Sequence, residues 1–173
     1  MPPDASQAIE VLSIGCQAGN GDACTESGRL LLRASGADRV QPTHAMVARA
    51  EGLFQVGCRA GSGTSHAKCC GLLAALHLSP TLSSSTLKPS PRPAELVSFL
   101  ERACKGEHAP SCMKLAEGFW SGAAGETGAL LELPMDQARA RSLEITGLQW
   151  SGLSPQQAAR TVEKKRGLTP PPL

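Results

Sequence analysis

GCQAGNGDAC, residues 15–24, is the stretch that decides the fold, because it places two cysteines on either side of a short turn rich in glycine. The same arrangement returns at Cys104 and Cys112, and in both copies seven residues separate the two cysteines. A third copy begins at Cys58 and reaches two adjacent cysteines through a longer turn. The chain therefore carries a repeated cysteine pair, which points to an internal structural repeat.

The segments around these cysteines are related over a longer period. Four anchor positions, 16, 58, 104 and 148, lie 42, 46 and 44 residues apart, and Leu148 takes the cysteine position in the last copy. A small residue precedes each anchor, and an apolar residue lies five positions before it: Val11, Leu53, Phe99 and Leu143. A period of this length is typical of proteins built from stacked helical repeats.

Each repeat is predicted to form an antiparallel pair of helices, with one cysteine ending the first helix and another opening the second. Those two ends are neighbours across the turn, so a disulfide can form without large backbone movement. The candidates are Cys16, Cys24, Cys58, Cys69, Cys70, Cys104 and Cys112. The spacing of small residues on the following helix favours Cys70 as the partner of Cys58, but Cys69 remains an alternative. The thiol left over is expected to be packed rather than reactive.

The composition favours closely packed helices and excludes several classes of protein. Hydrophobic residues make up 41% of the 173 residues, yet the chain has no Tyr, three Phe and two Trp, so leucine and small residues must fill the core. The formal charge of +2 gives no general attraction to nucleic acid. No apolar run has the length of a membrane span, and the start at Met1 lacks the pattern of a secretory signal.

The sequence offers no credible catalytic, cofactor or metal site. The cysteine spacings are too long for structural zinc, and the four histidines are scattered. Ser85 and Lys88 match the Ser-x-x-Lys motif of serine enzymes that react with penicillin. However, Lys88 precedes Pro89, which disfavours the helical geometry that this motif requires.

The predicted organisation is one repeat domain over residues 1–166 and an extended tail over residues 167–173. Breaks rich in Ser, Pro or Gly separate the helix pairs. The pairs are predicted at about 5–34, 43–78, 93–121 and 135–166, with linkers at 35–42, 79–92 and 122–134.

The pairs Gly15-Cys16 with Ala23-Cys24 and Ala103-Cys104 with Ser111-Cys112 resemble the theme of the Sel-1-like repeat family, a relative of tetratricopeptide repeats. The likeness is to its helical cysteine-rich branch and covers about residues 5–166. It implies an all-α, right-handed superhelix, or solenoid, of about eight helices in antiparallel pairs stapled by disulfides. The family's longer turn between cysteines would favour Cys69 rather than Cys70 as the partner of Cys58.

Some features are most similar to mitochondrial members of this branch that serve the assembly of cytochrome c oxidase. These features are the enlarged turn after Cys58, the segment Pro134-Met135-Asp136, a last repeat without cysteine and the basic helix over residues 156–166. The resemblance implies a non-enzymatic interaction protein of the mitochondrial intermembrane space, an assembly factor or accessory component that acts on the respiratory chain. It implies protein partners, which we expect to be subunits of respiratory-chain complexes. The basic end of the last helix is compatible with docking on an acidic partner or on an anionic membrane surface.

The sequence leaves two alternatives to this function. One is a permanent peripheral subunit of another large mitochondrial complex. The other is a hydrolase that binds penicillin or resembles a β-lactamase, for which the sequence lacks a credible set of catalytic groups. Candidate residues for partner binding are Trp120, Trp150, Arg160, Lys164, Lys165 and Arg166.

Overall fold

The computed structural model describes residues 3–33, 42–60, 63–79, 92–124 and 131–168, and within these ranges it contains eight α-helices. The helices are α1 Pro3–Gln17, α2 Gly21–Arg33, α3 His44–Arg59, α4 Thr64–Leu78, α5 Pro93–Lys105, α6 Ala109–Ser121, α7 Gln137–Trp150 and α8 Pro155–Arg166. They confirm the predicted all-α class with disulfide-linked helices. Parts of the predicted linkers 35–42, 79–92 and 122–134, the Ser-x-x-Lys motif and most of the tail lie outside the described residues.

A short antiparallel ribbon lies within the predicted linker 122–134. Strand β1, Ala123–Ala124, pairs with β2, Leu131–Glu132, so that Ala123 is opposite Glu132. The ribbon follows Gly122, whose φ of 76° ends α6 in a left-handed conformation. Glycine adopts this conformation without steric cost, so it turns the chain sharply away from the helix axis.

Local chemistry explains where several helices begin. The side chains of Thr43 and Asp136 accept hydrogen bonds from the amides of Met46 and Arg139, three residues further on. Ser154 forms a complete capping box with Gln157 before α8. These contacts satisfy amides that have no partner inside the helix, which fixes the first turn.

Consecutive helices are neighbours in space, and they share two hydrophobic clusters. The first cluster joins α1–α4 and Ala103 of α5 around the fully buried Phe54 and Leu73, and the second runs from α4 to α7 around Leu100 and Leu115. Helix α4 contributes to both clusters and packs on α5, so it connects the second repeat to the third. This order fits a solenoid, in which each repeat contacts the next, while the right-handed superhelical twist stays a prediction.

Small residues allow the helices to approach closely. A Cβ atom added at Gly28 of α2 would overlap the ring of Phe54 of α3. A Cβ atom at Gly71 of α4 would likewise overlap the imidazole of His108 at the start of α6. The missing side chains therefore make room for rings from the next repeat, which is how a core with few aromatics reaches dense packing.

Candidate partner-binding surfaces

Disulfide bonds join the two helices in each of the first three repeats. The bonds are Cys16–Cys24, Cys58–Cys70 and Cys104–Cys112, with Cα atoms 4.5, 4.6 and 4.8 Å apart. The partner of Cys58 is thus Cys70, as the helix periodicity favoured, and not Cys69. Each bond closes a ring of 9 or 13 residues, which restricts the unfolded chain by about 2.5–3 kcal/mol.

Cys69 keeps a free thiol, which the structure buries among helices of two repeats. Its Sγ atom lies 3.2 Å from the hydroxyl of Thr25 and 3.2 Å from the carbonyl oxygen of Gly21. Burial raises the pKa of the Cys69 thiol, and the contact with Thr25 lowers it only in part. Cys69 is therefore a packed, protonated side chain rather than a nucleophile.

The fourth repeat has no disulfide and uses a buried carboxylate in its place. The side chain of Glu144 on α7 is only 1% exposed, and its oxygens accept hydrogen bonds from three side chains. Trp120 Nε1 donates at 2.8 Å, Lys165 Nζ at 2.7 Å and Arg166 Nε at 3.1 Å. The guanidinium of Arg166 also lies 4.8 Å from the centre of the Trp120 ring, within range of a cation–π contact.

These contacts determine the ionisation of Glu144. Burial by itself would raise the pKa of this carboxyl, but hydrogen bonds from Lys165, Arg166 and Trp120 outweigh burial and hold the pKa below its usual value. A second ion pair between the same two helices joins Arg141 to Glu163. Charge pairs thus connect α7 to α8 where Leu148 replaces the cysteine of the other repeats.

The six residues predicted to bind a partner fall into two groups. Trp120, Lys165 and Arg166 make contacts within the chain through Glu144, so their predicted role at a partner surface competes with a structural one. Trp150 is 47% exposed, and Arg160 and Lys164 are exposed on α8. Sequence reasoning missed Glu144, although it lies four positions before the anchor, where the other repeats carry Leu12, Phe54 and Leu100.

A groove of about 400 Å³ crosses three repeats and was not visible in the sequence. Helices α2, α4, α5 and α6 all contribute to it, and its apolar lining includes Leu72, Ala75, Leu78, Leu100 and Pro110. Its volume lies in the range of pockets that bind small ligands or a few side chains of a partner.

Two of the polar side chains that line this groove are cationic. Arg29 and Lys114 line it, and among the described residues none of those lining it carries a carboxylate. Each of these two cations pairs with an exposed glutamate one turn away on its own helix. His108 Nδ1 lies 2.8 Å from the hydroxyl of Ser111, and burial, followed by the charges of Arg29 and Lys68, lowers the pKa of His108. The imidazole is therefore neutral near pH 7, and the charge of the groove comes from Arg29 and Lys114.

Comparison with models of protein families, with curated proteins and with solved structures returns no match to this chain. None of the described helices combines the length and the apolar character that a membrane span requires. Within the described ranges, His, Cys, Asp and Glu side chains form no group of three that could hold a metal ion.

Proposed function

We propose that this chain is a non-enzymatic interaction protein built from Sel-1-like repeats, and that it binds a partner polypeptide in the groove across α2, α4, α5 and α6. The observation that carries the proposal is the groove itself, because residues from three successive repeats line it. Binding sites of solenoid proteins typically extend over several repeats in this way.

The disulfides support this function through the rigidity that they give to the groove. Gly71 and Leu72 follow Cys70 on α4, and Pro110 and Ser111 precede Cys112 on α6, so two bonds fix the segments that line it. A surface that is already ordered loses less conformational entropy when a partner binds. Arg29 and Lys114 favour an apolar partner segment that carries a carboxylate, which would compete with the exposed Glu26 and Glu117 for these cations. Exposed ion pairs of this kind are worth at most about 1 kcal/mol each.

The proposed compartment is the mitochondrial intermembrane space, and the proposed partner is a component of the respiratory chain. Three disulfides among the described residues require an oxidising environment, which the reduced cytosol does not provide. The choice of cytochrome c oxidase, in assembly or as an accessory component, comes from the resemblance to mitochondrial members of the repeat family.

Native-gel fractionation of mitochondria, followed by mass spectrometry of each slice, tests both parts of this proposal. We expect the chain to migrate with cytochrome c oxidase or its assembly intermediates, and alkylation without reduction should label at most one of seven cysteines. Constant stoichiometry with a mature complex would make the chain a permanent subunit. Absence from mitochondria, or labelling of all seven thiols, would refute the proposed compartment.

A pair of matched variants tests the groove. Ala75→Trp fills the groove from an exposed position on α4, whereas Ala48→Trp places the same side chain on an exposed position of α3 outside it. We expect Ala75→Trp to detach the chain from its complex on the native gel, and Ala48→Trp to leave it bound. Equal retention of both variants, with both folded, would exclude the groove as the binding surface.

A further inference from the structure

A second cavity, of about 290 Å³, lies where the end of α5 meets the start of α4. Gly63, His66 and Ala67 line it from the α4 side, and Arg102, Lys105 and Gly106 line it from the α5 side. The helix ends are in close contact, because a Cβ atom at Gly106 would overlap that of Ala67. The cavity is therefore a defined pocket between two repeats, and it shares no lining residue with the groove described above.

The polar side chains of this pocket are all basic or potential donors. They are His66, Arg102 and Lys105, and no described residue that lines the pocket has a carboxylate. The guanidinium of Arg102 donates to the carbonyl oxygen of Cys58 at 2.6 Å, which holds this side chain in place. An arginine has five N–H groups, so the guanidinium retains donors for a second acceptor.

His66 provides an independent observation. Its Nε2 atom is buried and has no hydrogen-bond partner among the described residues. A buried polar atom without a partner is costly, so such an atom usually marks a place where a water, an ion or a ligand group binds. The side chain of His66 also lines the pocket beside Arg102 and Lys105, so a turn of its ring would bring a nitrogen to a ligand there.

Basic residues near a helix C-terminus can also serve only to complement the helix dipole. Lys164 lies in the last turn of α8, as Lys105 lies in the last turn of α5, but Lys164 does not line this pocket. Dipole complementarity explains neither the cavity nor the unpartnered nitrogen of His66. An anion with several acceptor oxygens in the pocket would pair with Arg102 and Lys105, and it would give His66 a partner once the ring turns toward the pocket.

We propose that this pocket binds a small oxyanion, whose phosphate or carboxylate head group accepts hydrogen bonds from His66, Arg102 and Lys105. Planar arginine donors and a lysine ammonium are the groups that recognise such head groups in proteins. A cavity of this size has room for the head group together with the small molecule, or the modified or acidic side chain of a partner, that carries it. The proposal does not depend on the function of the groove.

The test is an NMR titration of the full, oxidised chain with inorganic phosphate, in which sodium chloride keeps the ionic strength constant. We expect saturable shifts of the His66 ring nitrogens and of the amides near positions 66 and 105. A parallel titration with acetate distinguishes the two head groups, since the tighter ligand identifies the preferred one. Lys105→Gln should weaken binding about tenfold, whereas Lys164→Gln should leave it unchanged.

Two further outcomes would overturn the proposal. One is the absence of saturable shifts with either anion, or equal shifts with chloride alone. The other is equal weakening by Lys105→Gln and Lys164→Gln, which would indicate general electrostatic attraction rather than a site. Because Lys105 is exposed, its substitution leaves the fold intact, and the test does not rest on any variant of the partly buried His66.

Discussion

Glu144→Gln removes the charge of a buried side chain and keeps its size, so it measures what the carboxylate contributes to the fourth repeat. The Trp120 indole donates to a buried charged acceptor, and such a bond contributes about 1.5 kcal/mol. The side chains of Lys165 and Arg166 are 54% and 28% exposed, so solvent screening reduces each of those pairs to about 0.5–1 kcal/mol. The sum is about 3 kcal/mol, and the glutamine oxygen keeps about 1 kcal/mol of it as an acceptor. We therefore expect a loss of about 2 kcal/mol in the free energy of unfolding.

Urea denaturation of the oxidised protein, followed by tryptophan fluorescence, measures this loss. A Trp150→Phe background leaves Trp120 as the reporter, and Trp120 contacts the substituted side chain. Glu117→Gln is the matched control, because Glu117 is an exposed glutamate that pairs with Lys114 one turn away, and its substitution should cost less than about 0.5 kcal/mol. If Glu144→Gln costs no more than this control, the carboxylate does not stabilise α7 against α8 and the reasoning is refuted.

Three further predictions follow from single contacts. The folded-state pKa of Glu144 is below the ordinary value of 4.5, so the stability that this carboxylate gives to the fold is complete above that pH and is lost as the pH falls through the folded value. The difference in Tm between the parent and Glu144→Gln should therefore shrink under acid. A difference that stays constant from about pH 7 to pH 3 would contradict this. Gly28→Ala should lower the free energy of unfolding by about 1–2 kcal/mol, because the added methyl group overlaps the ring of Phe54 and this outweighs the better helix propensity of alanine. A variant that is stabilised in urea denaturation would show that the ring can move aside. Cys69→Ala should leave the disulfide pattern unchanged, as determined by peptide mapping after alkylation, whereas a new pairing in this variant would show that Cys69 takes part in a bond.

Helix pairs and their disulfides were predictable because they depend on local features. The cysteines of the first and third repeats are eight positions apart, and a glycine turn brings the two helix ends together whatever the rest of the chain does. The caps at Thr43, Asp136 and Ser154 likewise depend on residues three positions away. Interactions of this range are encoded in short stretches of sequence.

The candidate surfaces were predicted only in part, because residues close together in sequence differ in what they contact. The exposed Trp150 remains a candidate for partner binding, but the indole of Trp120 is hydrogen-bonded inside the chain. Composition and spacing do not separate these two tryptophans, since each lies near the end of a helix. The groove brings together residues from positions as far apart as 29 and 114. No pattern in the sequence indicates that Arg29 and Lys114 line the same groove.

The sequence by itself determined that the chain forms helix pairs, since a repeat of cysteines, glycines and apolar positions specifies helices and turns through neighbouring residues. Only the tertiary structure decided that Cys70 rather than Cys69 pairs with Cys58. The two positions differ by about 100° around α4, and which of them faces α3 depends on how the helices pack. The tertiary structure also decided which side chains bind Glu144, since its hydrogen-bond donors lie 21 to 24 residues away in the chain. Periodicity tells which face of a helix is buried, but the partner of a buried group is fixed only when the helices are assembled.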